Sequence, residues 1–110
     1  MPLYEMVVLM KIGETQALSG FIKSFITTAY QSGGIVRNIK NLGDRIAARE
    51  YKAKDGSRQD FVRYLAFEFD SDPSTMKILM SQARSGDDTL SVHIHKLNLN
   101  NYYKNMLDTE

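Results

Sequence analysis

The 110-residue sequence predicts an α+β fold, a four-stranded antiparallel sheet with two helices on one face. Three observations carry that expectation. Apolar residues alternate with period two over Leu3–Lys11, Phe61–Phe69 and Thr89–Leu97. They recur at spacings of three and four over Thr15–Ser32 and again after Asp72-Pro73. The order is then strand, helix, strand, strand, helix, strand, and both crossovers must be right-handed and share one sheet for each helix to bury its stripe. This is the ferredoxin-like split βαβ arrangement, and it leaves the second sheet face open to a partner.

In the first strand Tyr4, Met6, Val8 and Met10 lie on one face and Leu3, Glu5, Val7 and Leu9 on the other. Glu5 marks its own face as the open one, and the alternation assigns Tyr4 to the core rather than to base stacking. Leu18, Ile22, Phe25 and Ala29 form the stripe of the first helix, broadened by Phe21, Ile26 and Tyr30. Thr15 is its expected N-cap and Gly33-Gly34 its stop. The second strand, Gly34–Leu42, carries Ile35, Val36, Ile39 and Leu42 without clean alternation, which predicts a bulge. Leu65, Phe67 and Phe69 of the third strand should face the helices, with Tyr64, Ala66 and Glu68 outward. Asp72 is the expected N-cap of the second helix, with Pro73 at its first position. Met76, Leu79, Met80 and Ala83 form its buried stripe and Gly86 closes it. In the fourth strand Leu90, Val92 and Ile94 should point inward and Ser91, His93 and His95 outward. The expected organisation is one domain over residues 1–97, with a basic hairpin at 43–60, and a C-terminal tail over 98–110.

The chain has no cysteine, which excludes a disulfide, a thiol nucleophile and a thiolate metal site. Its longest uncharged runs fall far short of a membrane span, so no membrane contact is expected. The opening "MPLYEMVVLM" lacks a basic region and contains Glu5, and it reads as a strand, not a signal peptide. An Arg- and Ser-rich leader is also missing, which does not exclude an organelle. The formal net charge of +1 is small for a free-standing nucleic-acid binder.

That near-neutral total conceals a concentration. Arg37–Arg63 holds Arg37, Lys40, Arg45, Arg49, Lys52, Lys54, Arg58 and Arg63 against Asp44, Glu50, Asp55 and Asp60, a net of +4, while the rest of the chain nets −3. A small fold that gathers cations on one projecting segment is suited to an anionic partner such as a phosphate backbone. Gly43 beside Arg45 allows backbone to approach RNA closely.

Three stretches resemble the bacterial-type small-subunit ribosomal protein six family in its mitochondrial form: "MPLYEMVVLMK", "GGIVRNIKNLGDR" and "FEFDSDPS". Val36-Arg37, Asn41-Leu42-Gly43 and Arg45 match in order and spacing, and the resemblance covers about residues 2–97. It implies a structural component of the mitochondrial small subunit in the matrix, with no catalysis and no cofactor. It also implies contact with small-subunit ribosomal RNA of the platform, with the neighbouring ribosomal protein eighteen and with other mitoribosomal proteins. Arg45 is the foremost carried-over RNA contact and Arg37 a recurring basic position; Arg49, Lys52, Lys54 and Arg58 complete the expected RNA-binding set. The sequence departs from the family at Ala47-Ala48-Arg49-Glu50, where an apolar latch followed by an aromatic and a proline is usual, so a longer and differently anchored loop is expected there.

The open sheet face is the expected protein interface, through Glu5, Tyr64, Glu68, His93 and His95, joined by Tyr102 and Tyr103 of the tail. His93 and His95 share one side of a strand, but no third ligand accompanies them, so a metal is not expected. Glu5 and Glu68 lack a nucleophile or cleft, which argues against acid–base chemistry. A phosphatase on this fold would need an anion-binding loop with arginine after the first strand, and "KIGETQ" has none. The alternative function is a ferredoxin-like small-molecule-sensing regulatory domain, which would usually need an apolar dimer face or a glycine-rich ligand loop; the mixed open face does not provide the former.

Overall fold

In the computed structural model, which describes residues 1–97, six elements follow in the predicted order: β1 Leu3–Met10, α1 Thr15–Gln31, β2 Ile35–Lys52, β3 Arg58–Asp70, α2 Pro73–Arg84 and β4 Thr89–Leu97. The strands form one sheet in the order β2-β3-β1-β4, antiparallel at every pairing. The two most apolar strands, β1 and β3, take the centre. The polar β2 and β4 take the edges, where unpaired backbone faces water.

Both helices cover the same sheet face. Tyr4, Met6, Val8 and Met10 of β1 meet Leu65, Phe67 and Phe69 of β3, Phe25 and Ala29 of α1, Leu79 and Ala83 of α2 and Val92 of β4. Ile22 and Met80 pack against this cluster at its margin. Tyr4 is buried, as its alternation requires. The rings of Phe25 and Phe67 lie 4.3 Å apart between centroids, and Phe21 lies 6.1 Å from Phe67.

The buried stripe of α1 is narrower than the sequence suggests. Ile26 is 41% exposed and Tyr30 82%. Each follows a buried residue by one position, about 100° further round the helix and beyond the arc that meets the sheet. Glu14, not Thr15, occupies the N-cap, and its side chain makes no capping bond. Gly33 ends the helix with φ +86°, where a Cβ is disfavoured. In β4 a bulge sets Thr89, rather than the expected Leu90, opposite Met10. Thr89 is buried there, and its Oγ1 donates to the Ala83 carbonyl at 2.7 Å.

Asp72 caps α2 as its sequence context requires. Its Oδ1 accepts from the Thr75 amide at 2.8 Å, and Pro73 fills the first turn, where no amide donor is needed. The Thr75 backbone N–H, helped by the hydroxyls of Thr75 and Ser74, holds the Asp72 carboxyl below its ordinary value of 3.8. A carboxyl lowered on folding stabilises the fold fully above its unfolded pKa, and that contribution is lost as pH falls through the lower folded value. Asp72→Ala should lower Tm by about 3–6 °C at pH 7. Thermal melts should show the gap between the two proteins closing in strong acid.

Candidate nucleic-acid interface

The basic segment is a long ladder rather than a loop. β2 runs on to Lys52 and β3 begins at Arg58, so only residues 53–57 turn the hairpin. The expected bulge in β2 is present, and the pairing slips at three places. Arg37 is extra between Val36 and Asn38, and Leu42 between Asn41 and Gly43. Ile46 and Tyr51 then pair with Phe61 and Gln59, so residues 47–50 face Asp60 alone. This last irregularity falls on Ala47-Ala48-Arg49-Glu50, the stretch where the sequence departs from the family pattern. Gly43 takes φ +93° at the second slip, and its amide donates to Asn41 Oδ1 at 3.0 Å.

The cations fall into two groups. Arg37 is ion-paired to Asp70, Lys40 to Glu68 at 2.9 Å and Arg63 to Asp44 at 3.0 Å. Those three neutralise acids of the sheet. Arg45, Arg49, Lys52 and Arg58 are exposed. Arg45 Nε donates to the Leu42 carbonyl at 3.1 Å, and its guanidinium lies 5.9 Å from the Tyr64 ring centroid. The Arg49 guanidinium lies 4.6 Å from the Tyr51 ring centroid. A planar cation laid on a ring is oriented without being neutralised, and its outer face stays available. Lys52 and Arg58 are direct cross-strand partners, two like charges placed opposite each other. Among the described residues, the 3.5 Å contact of Arg58 with Glu50 offsets that repulsion. The rings of Tyr51 and Tyr64 as supports for these arginines were not anticipated; the signal in the sequence is an aromatic two residues beyond Arg49.

Lys54 belongs to neither group. Its ammonium donates to the Arg84 carbonyl at 2.8 Å and to the Gly86 carbonyl, at the end of α2. Carbonyls of a last helical turn lack intrahelical donors and carry partial negative charge, so a cation there stabilises. Asp55 next to it pairs with Lys11 at 2.8 Å. The Lys11 hydrogen bond, with the Ser57 hydroxyl and amide, holds the Asp55 carboxyl far below its ordinary value, and Asp55 in turn raises Lys11. The hairpin tip is therefore fastened to the body rather than projecting freely. Lys54→Met should loosen it, and amide exchange at Ala53 and Gly56 should rise about two- to fivefold. Unchanged exchange at both amides would sink that role.

On the sheet face away from the helices, Asn38, Glu68, Glu5 and His95 form one cross-strand row, and Lys40, Ala66, Val7 and His93 the next. Glu68 and Ala66 lie on this outward face, as expected, and both are nonetheless buried there. The Glu68 side chain is only 9% exposed and is taken by Lys40, because a carboxylate on a central strand lies within reach of the edge-strand lysine. Glu5 is half-buried and forms no ion pair within 4 Å of a described residue. Tyr64 is half-buried beneath Arg45, while His93 and His95 are exposed. His93 Nε2 lies 3.0 Å from Ser91 Oγ. Tyr102 and Tyr103 lie outside the described residues. No group of three His, Cys, Asp or Glu among the described residues could hold a metal, and no described helix is long and apolar enough to cross a membrane.

Solved structures share this architecture. The crystal structure of 30S ribosomal protein S6 from Thermotoga maritima superposes with a TM-score of 0.76 at 14% identity, over 99% of this chain and 98% of that one. The C-terminal domain of the MgtC protein from Mycobacterium tuberculosis superposes with a TM-score of 0.59 at 12% identity, over 87% of each chain. At these identities both likenesses speak to the fold alone. No curated protein sequence matches the chain. The decisive match is to the family described as Ribosomal protein S6, over residues 3–96, a family of structural ribosomal proteins and not of enzymes. That match takes in every strand and both helices but the last residue of β4, and by it the chain belongs to the ribosomal protein S6 family.

Proposed function

We propose that this chain is a structural constituent of the small subunit of a mitochondrial ribosome. Its hairpin meets small-subunit ribosomal RNA of the platform, and its open sheet face meets the neighbouring ribosomal protein eighteen. The observation that carries the RNA contact is the set Arg45, Arg49, Lys52 and Arg58, exposed and with no ion pair to a described carboxylate apart from that of Arg58 with Glu50. Two of them lie on aromatic rings and two oppose each other across the ladder. Like charges held together on a fixed ladder gain more from a phosphate than from water. Arg37 is a weaker contact, because Asp70 already takes its guanidinium, and Lys54 acts by fastening the tip. The mitochondrial assignment rests on the three stretches of sequence named above. Fractionation settles both levels: the tagged chain should travel with small subunits through a high-salt gradient, inside mitochondria. Recovery with bacterial-type cytosolic ribosomes would overturn the location alone, and recovery away from ribosomes would overturn the function.

On the sheet face, Glu5 is the carboxylate left for a cation of the partner protein, since Lys40 already takes Glu68. Glu5 also sits directly opposite Glu68, so reversing its charge removes a like-charge pair from the isolated fold. Glu5→Lys should therefore weaken the protein–protein association about tenfold or more while leaving Tm unchanged or higher. Titration calorimetry and thermal melts on the same sample distinguish this from simple unfolding, which would lower both.

A further inference from the structure

The cover that the helices give the sheet ends before the hairpin does. Arg63 still lies beside Glu14 and Leu18 at the start of α1. Two residues back along β3, on the same face of the ladder, Phe61 has passed that cover and is 49% exposed. Ile46, its direct cross-strand partner on β2, is 80% exposed. Tyr51 and Gln59 form the next row of this face, since Gln59 lies two residues from Phe61. The two rows are roughly 6.5 Å apart along the strand. Tyr51 is half-buried and carries the Arg49 guanidinium 4.6 Å from its ring centroid. A cross-strand pair of an aromatic and a β-branched residue steadies the ladder, yet most of Ile46 and half of Phe61 still stand in water. The acids nearby do not oppose an anion at this face. Asp44 is held by Arg63, Glu50 touches Arg58, and alternation with Phe61 puts Asp60 on the opposite face.

We infer that Phe61, with Ile46 beside it, is a stacking platform for an unpaired base of the RNA that the hairpin meets, and that Arg49 takes the phosphate flanking that base. This rests on the RNA reading of the hairpin and adds to it a contact that no charge supplies. An aromatic ring standing on a sheet surface among exposed cations is an arrangement that holds single-stranded RNA, the ring taking a base and a cation the backbone. The charge decides the class of partner. An apolar protein surface would cover Phe61 and Ile46 but leave Arg45, Arg49, Lys52 and Arg58 of the same ladder unanswered, whereas a nucleotide answers both. A paired helix keeps its base faces stacked inside, so the base comes from a loop, a bulge or an end. Every base has a π-face, so the contact fixes the position of the RNA on the hairpin rather than its sequence.

The chain has no tryptophan, so Phe61→Trp places a single fluorophore at the platform. The full-length variant is titrated with a platform fragment of small-subunit ribosomal RNA, with no other protein present. Its emission should be quenched saturably, with the midpoint seen for binding. Tyr30→Trp, on the exposed outer side of α1, is the control and should not be quenched. Phe61→Ala and Phe61→Leu, checked as folded by thermal melts, should each weaken binding about tenfold with the salt slope unchanged, because a stacked ring releases no counterion. Phe61→Tyr keeps the ring and should bind within about twofold of the unaltered chain. Unquenched emission while RNA still binds, or Phe61→Leu binding as tightly as the unaltered chain, would overturn the stack and leave the cationic contact standing. If Phe61→Ala weakened only the association with the neighbouring ribosomal protein, the pair would belong to a protein interface and the inference would fall. Failure of the unaltered chain to bind the fragment would overturn the RNA reading and the stack with it.

Discussion

Replacing Phe67 by alanine should destabilise the fold by about 3–5 kcal/mol, the largest single-residue loss expected in this chain. Phe67 is fully buried near the C-terminal end of β3, a central strand of the sheet. Met6 and Ile39 flank it on the neighbouring strands, and Phe25 and Phe21 press on it from α1. Both sides of the resulting hole are regular ladder, which cannot collapse without breaking strand hydrogen bonds. The cavity penalty should therefore add nearly in full to the lost burial. Domains of this size have about 5–15 kcal/mol in total, so the variant approaches the margin of folding at 37 °C. Urea unfolding with an unchanged m-value checks the figure. A loss below about 1 kcal/mol would mean that the helices do not seal this face. Phe61→Ala is the internal control: it sits six residues earlier on the same strand but is 49% exposed, and it should cost far less.

The contrast between these two phenylalanines shows how far the sequence can be read. Phe67, Phe69 and Leu65 alternate with Tyr64, Ala66 and Glu68, and the period alone places the first three under the helices. Asp72-Pro73 and Gly33-Gly34 mark helix ends because their backbone chemistry is local. The hairpin resisted the same reading for a physical reason. Three slips in β2 each break the period, at Arg37, at Leu42 and over residues 47–50, so the alternation predicts a strand ending at Leu42 where the paired strand runs on to Lys52. Charge was legible as a sum but not as pairing. Sequence cannot tell that Asp70, Glu68 and Asp44 take Arg37, Lys40 and Arg63, because those partners lie 19 to 33 positions away. Nor can it tell that Lys54 reaches the end of α2, 30 positions on. The open face was read correctly as a face and too simply as free: Glu68 belongs to Lys40.

Those pairings determine which cations can release counterions on binding RNA, and they give the second large effect. Neutralising Arg45, Arg49, Lys52 and Arg58 together, each to methionine, should flatten the slope of log affinity against log salt by about 3. Four phosphate contacts at about 0.7–0.9 per charge set that figure. Neutralising Arg37, Lys40 and Arg63 should change the slope much less, because each already faces a carboxylate within the chain and its removal exposes an acid instead. The probe is a platform fragment of small-subunit ribosomal RNA, with binding measured at several salt concentrations. Arg45→Lys refines the result. It keeps the charge but loses the guanidinium held by the Leu42 carbonyl near the Tyr64 ring, so affinity should fall while the slope holds, because the ammonium is no longer oriented in the same way. A slope in the fourfold variant equal to that of the unaltered chain would remove the hairpin from the RNA interface. If the threefold variant flattened the slope equally, binding would follow net charge and not the exposed set.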